Sequence, residues 1–147
     1  TFILAHAQAM NYAPAYFGVA GMAGILAHDG FAASIAAGVY LLTPFPASSD
    51  AEKVQHFVIA YQAKYGSTPN QFAPDAYDTV YAIYDCLVNG NVDATASNAD
   101  ICAAIVEQIL KLEFEGVTGT STWQANGQVT KVPMAVVIKD GVYTDPE

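Results

Sequence analysis

From Asp50 to Leu112 the apolar residues recur at helical spacing in three successive runs, and beyond Gly116 the spacing falls to that of strands. Val54, Phe57, Val58, Tyr61 and Tyr65 carry the first run, which predicts a helix over 50–65, opened by the capping-box pair Ser49 and Glu52 and ended by Gly66. In the second run Pro74 stands where a first helical residue belongs. Tyr77, Val80, Tyr81, Tyr84, Leu87 and Val88 then form a stripe up to Gly90, read as a face packed into the core. Ile101, Ile105, Ile109 and Leu112 predict a third helix, capped by Ser97 or Asn98.

The strand-like region is punctuated by two turn signals. Asn126-Gly127 lies between "VTGTSTW" and "QVTKVPMAVVIK", and Asp140-Gly141 follows near the end. Pro133 cannot donate to a ladder, so the second strand either begins there or changes partners there. Upstream of Ser49, "PAYFG" and "AGVYLLTP" read as short buried strands separated by a helical turn at 25–27. Helices alternating with buried strands predict an α/β fold, with helices packed on parallel sheets and a C-terminal β-hairpin. The opening "TFILAHAQAM" has neither a charged leader nor an apolar signal core and reads as the middle of a helix, so more chain is expected upstream.

Charge excludes several partners. The formal net charge is -9, and all five cations are scattered lysines. Without arginine there is no bidentate grip on phosphate, and the acidic field repels nucleic acid and anionic membranes. The 53% hydrophobic content can fill a core, yet no apolar run approaches the roughly 20 residues that span a bilayer. Cys86 and Cys102 fit no metal-binding spacing and are read as either buried thiols or one disulfide.

The stretch "YFGVAGMAGIL" places glycines at 18, 21 and 24. The spacing G-x-x-G-x-x-G, with no lysine following and no carboxylate ending "VYLLTP", is neither a dinucleotide fingerprint nor a P-loop. Such glycines mark a tight turn approached by a packed element or a ligand. His6, His28 and His56 have no spacing for a shared metal or a catalytic pair. His28-Asp29-Gly30 is read as a turn, and Asp75 as a carboxylate placed in a first helical turn by the helix dipole. No catalytic residue, metal site or cofactor is expected.

The ordered set F-x-x-x-Y-x-x-x-Y-G-x-x-P, A-Y-D, G-V-T-G, W-x-x-N-G and I-K-D-G, spread from Phe57 to Gly141, resembles the C-terminal half of the branched-chain amino-acid type of extracellular solute-binding protein of ABC importers. The resemblance implies a type I periplasmic-binding fold of two α/β lobes closing on a small solute. Residues 1–44 would belong to the second lobe, 45–131 to the first, and 132–147 would return to the second. It further implies an extracytoplasmic, non-catalytic receptor, with a secretion signal or a lipid anchor upstream. Its partners would be a small-molecule solute and a membrane permease, while a second copy of the chain would cover open sheet edges. A ligand-sensing extracellular domain on the same fold is the alternative.

By the same resemblance Val19, Ala20 and Gly21 would border the cleft and Phe72 would face the solute from the first lobe. Family members often carry an acidic residue where this chain has Ala20. Either another acid such as Asp29 takes its place, or the solute is not a zwitterionic amino acid. Cys86 and Cys102 would lie on consecutive helices of one lobe in an oxidising compartment, and are expected to be bonded.

Overall fold

The computed structural model describes residues 2–22, 24–27, 32–43 and 45–146. These form two compact units, one of Thr1–Gln71 with Pro133–Glu147 and one of Phe72–Val132.

In the first unit, helix α1 (Phe2–Ala9) precedes strand β1 (Phe17–Gly18), three short 3-10 turns, strand β2 (Tyr40–Thr43) and helix α2 (Glu52–Tyr65); strands β6 (Met134–Lys139) and β7 (Val142–Thr144) complete it. The sheet order is β1-β2-β6-β7. Only β1 and β2 run parallel, whereas β2·β6 and β6·β7 are antiparallel. The α/β class therefore stands with mixed rather than parallel sheets, because the returning C-terminal segment enters as a hairpin. Asp140 (φ 50) and Gly141 (φ 78) both take positive φ, as a two-residue hairpin turn requires.

The core of this unit is Leu4, Ile25, Ala36, Val39, Leu41, Val136 and Ile138. Val136, Val137 and Ile138 are all buried, so β6 is covered on both faces. Shaving one methylene from a fully buried side chain loses transfer energy and leaves a void. Ile138→Val should thus lower stability by about 1 kcal/mol, measured by urea titration.

The second unit holds helices α3 (Phe72–Asn89) and α4 (Asn98–Ile109) and strands β3 (Glu113–Gly116), β4 (Gly119–Trp123) and β5 (Val129–Lys131), which pair antiparallel in the order β3-β4-β5. Ser97 caps α4, its side chain accepting from the Asp100 N–H at 3.2 Å. Asn126-Gly127 turns the β4–β5 connection, with Gly127 at φ 83 and Asn126 Oδ1 accepting from the Gln128 N–H at 2.9 Å. Past Lys131 the chain leaves this sheet, and after Pro133 it joins the other as β6, so the strand changes partners at the proline.

Three expectations need correction. The α2 cap is Ala51, without a side-chain bond. The helix starts at Glu52, so Ser49 is one residue too early and instead accepts from the Ala51 N–H at 3.3 Å. The tyrosine stripe of α3 is exposed, with Tyr77 41%, Tyr81 47% and Tyr84 59% accessible; the buried face is Pro74, Asp78, Ala82 and Cys86. Small side chains at a four-residue interval let the helix approach its neighbours closely, and one carboxylate on that face finds partners. Lastly, Cys86 and Cys102 are both free. Cys86 lies on the inward stripe of α3, where burial and then the nearby Asp85 push its thiol up, whereas Cys102 is exposed on α4.

Candidate functional site

A cleft of about 680 Å³ opens in the first unit. One side is built by α2 and the loop after it. Gly66 ends α2 in the left-handed region at φ 69, donating its N–H to the Gln62 carbonyl at 2.9 Å, and the chain turns back along the helix. Gln62 Nε2 donates to Thr68 Oγ1 at 3.2 Å, which ties this loop to the helix. Tyr61, Gln62, Ser67, Thr68 and Asn70 thereby reach the cleft together. Tyr61 belongs to an aromatic ladder in which Phe45 meets Phe57 edge-on at 5.9 Å and Tyr61 meets Tyr65 at 4.6 Å. Such a ladder fixes the ring at two rotatable bonds and gives the wall a rigid apolar surface.

The opposite side comes from Gly24 and Leu26, just past the glycine-rich turn, and from the β6–β7 turn through Tyr143. The Tyr143 phenol is half-buried; burial pushes its pKa up, while a hydrogen bond with the Leu26 backbone pulls the other way. A hollow of about 30 Å³ adjoins the cleft, lined by Thr43, Phe45, Gln71 and their neighbours. There Thr43 and Gln71 are buried, 4% and 3% exposed, and Thr43 Oγ1 lies 3.2 Å from Gln71 Oε1 while accepting from the Phe45 N–H at 3.2 Å. The described lining of the cleft carries hydroxyls, amides and aromatic rings, and no charged side chain.

Val19, Ala20 and Gly21 are brought together on one turn at the carboxyl ends of the parallel pair β1 and β2, where open α/β sheets receive ligands. Val19 is 66% exposed, and its carbonyl accepts from the Met22 N–H at 2.8 Å. Gly18 has a packing reason, since a Cβ there would collide with Met22 Sδ and Leu41 Cδ2. Gly21 and Gly24 face open space. Phe72 is 58% exposed and starts α3 in the second unit, directly after Gln71. Ala23, His28, Asp29 and Gly30 lie outside the described residues. His6 and His56 are exposed, and among the described residues no three His, Cys, Asp or Glu side chains gather as metal ligands. Likewise no described helix is long and apolar enough to cross a membrane.

Sequence reasoning passed over Tyr61, Gln62, Asn70 and Tyr143. Tyr61 was absorbed into the apolar stripe of its helix, and polar loop residues such as Asn70 carry no period by which to find them.

A family model described as periplasmic binding protein matches residues 1–141. The chain belongs to that family. The family is a class of binding proteins rather than catalysts. Among solved structures, this periplasmic-binding chain is similar to the branched-chain amino acid transporter substrate-binding protein LivJ from Streptococcus pneumoniae in complex with isoleucine, at 23% identity and TM-score 0.77 over 96% of this chain and 38% of that one. The leucine-binding protein LivK of Thermotoga maritima gives 18% identity and TM-score 0.76 over 99% of this chain and 40% of that one. An ABC-transporter solute-binding protein of R. palustris in complex with benzoate gives 20% identity and TM-score 0.74 over 97% and 38%. At these identities the likeness shows the fold, a partial type I periplasmic-binding fold. The chain spans only 38–40% of the length of those proteins. No curated protein matches it.

Proposed function

We propose that the chain is the C-terminal portion of an extracytoplasmic solute-binding receptor that delivers a small organic solute to an ABC permease. One observation carries this reading: a chain whose residues 1–141 match the periplasmic binding protein model opens a cleft of about 680 Å³ lined by hydroxyls, amides and aromatic rings. Gly24, Leu26 and the 141–143 turn line it together with Tyr61, Gln62 and the 67–70 loop, all within the first unit. Receptors of this kind trap their ligand in a cleft, and closure is a ligand-driven shift between open and closed populations. The Val19–Gly21 turn, in the same unit, extends the wall that Gly24 and Leu26 begin. The remaining strands of the full receptor cover the edges of both sheets, and in this chain alone a second copy does so.

The chemistry of the lining narrows the solute. An ammonium group taken from water without a carboxylate partner costs several kcal/mol, and the described lining supplies hydroxyls, amides and rings instead. The solute is therefore an uncharged or carboxylate-bearing small molecule with an apolar body, closer to a benzoate than to an amino acid. Thermal-shift measurement on the full-length receptor at about 0.1 mM ligand tests this, since saturation at a hundred times Kd stabilises by about 2.7 kcal/mol. Aromatic or short-chain acids and amides should give the largest rise in Tm, and Ala20→Asp should gain affinity for amino acids. A larger rise with leucine or isoleucine in the unaltered receptor refutes the solute class.

A further inference from the structure

The second unit contains a cavity of about 210 Å³ that the solute-binding role leaves unused. Strand register explains its composition. Phe114, Ser121 and Lys131 stand directly opposite one another across β3, β4 and β5, so their side chains share one face of the sheet, joined two residues away by Trp123 and Val129. Asp75, Asp78, Thr79 and Ala82, at the i, i+3, i+4 and i+7 positions of one face of α3, supply the other wall.

The lining mixes two characters. Ala82, Phe114, Trp123 and Val129 present apolar surface. Lys131 donates to Thr118 Oγ1 and reaches Asp75 Oδ1 only at 3.5 Å, leaving one ammonium hydrogen unused and another weakly used among the described residues. Asp75 is the more open partner, its side chain 41% exposed against 21% for Lys131. The Ser121 hydroxyl lines the cavity and makes no side-chain hydrogen bond among the described residues, so it is available to a molecule held there.

We propose that this cavity is a second binding site, for a small amphipathic zwitterion. A carboxylate bonds to Lys131 and Ser121, an ammonium to Asp75, and a short apolar body rests on Phe114, Trp123 and Val129. Charge selects this class. Asp75, Asp78 and Lys131 together carry one net negative charge, so a lone anion meets two carboxylates and a lone cation meets the ammonium. A zwitterion satisfies both poles and leaves the balance unchanged. The site is separate from the cleft of the first unit and stands or falls independently of the receptor reading.

Trp123 is the only tryptophan of the chain, so its fluorescence reports occupancy of this cavity directly. With the 147-residue chain, L-leucine should shift the Trp123 emission with half-saturation on the order of millimolar, weak enough not to register in a screen at about 0.1 mM. Isovalerate and isopentylamine, each keeping one of its two charges, should bind at least about tenfold more weakly. Ser121→Ala should leave Tm unchanged, because the hydroxyl bonds no described side chain or backbone group, yet should weaken leucine binding about fivefold. Lys131→Met should weaken it about tenfold or more. Equal responses to the three compounds, undiminished binding by Ser121→Ala, or no emission change up to about 50 mM leucine overturns the proposal. None of those results bears on the cleft, whose ligands are read by Tm of the full receptor.

Discussion

Asp78→Asn should destabilise the second unit by about 3–5 kcal/mol, enough to unfold much of a 61-residue unit whose total stability falls at the low end of the ~5–15 kcal/mol range. The carboxylate is 7% exposed on the inner face of α3. Its Oδ1 accepts from the Val117 N–H at 2.8 Å, and its Oδ2 accepts from the Thr118 N–H at 2.8 Å and the Thr118 hydroxyl at 2.5 Å. Val117 and Thr118 form the tight turn between β3 and β4, whose N–H groups would otherwise be buried without acceptors, since both residues are themselves buried. An asparagine of the same shape keeps one acceptor oxygen and turns an NH2 toward donors. One side is then left unsatisfied, and the charge that strengthened each bond is gone. Urea unfolding followed by Trp123 fluorescence isolates this unit, and a loss below about 1 kcal/mol would show that the turn finds its acceptors elsewhere.

What was legible in the chain was local. Helix spans came from the 3.6-residue period, the ends of α2 and α3 from Gly66 and Gly90, and both hairpin turns from Asn126-Gly127 and Asp140-Gly141, where Gly127, Asp140 and Gly141 take positive φ. Pro133 marked the change of sheet because a missing donor is a property of the residue itself. What failed was non-local. The stripe with most apolar residues on α3 was taken for its inner face, but burial followed the small residues and the one satisfied carboxylate, a choice that depends on what the β3–β4 turn presents. Asp78 itself reads in sequence as an ordinary helix charge, and only the fold reveals the two amides it meets. Of the cleft lining, only Gly24 and Leu26 lay in the glycine-rich stretch singled out in the sequence; Val19, Ala20, Gly21 and Phe72, named by family resemblance, are not among its described lining, and Tyr61, Gln62, Asn70 and Tyr143 meet only after α2, its loop and the last hairpin have packed.

The same turn yields the second large effect. Gly116, the last residue of β3, stands opposite Gly119, and a Cβ built on it would fall well inside contact distance of all three carboxylate atoms of Asp78. Gly116 has no positive φ to explain it, unlike Gly119 at φ 92. Its lack of a side chain serves the approach of α3 to the sheet. Gly116→Ala forces either the helix outward, stretching the hydrogen bonds to Val117 and Thr118, or the carboxylate into another rotamer that abandons them. The cost is expected at about 3 kcal/mol, at the upper end for overpacking because a charged network moves with the backbone. The mechanism makes a sharper statement than the magnitude: the two substitutions must be coupled. Once Asp78→Ala has removed the carboxylate, the methyl at position 116 meets space, so Gly116→Ala in that background should cost about 2 kcal/mol less than in the native chain. A double-mutant cycle by urea unfolding measures that difference. Additive costs would mean that Gly116 is required by its own backbone rather than by Asp78, and that the docking of α3 onto the turn has another origin.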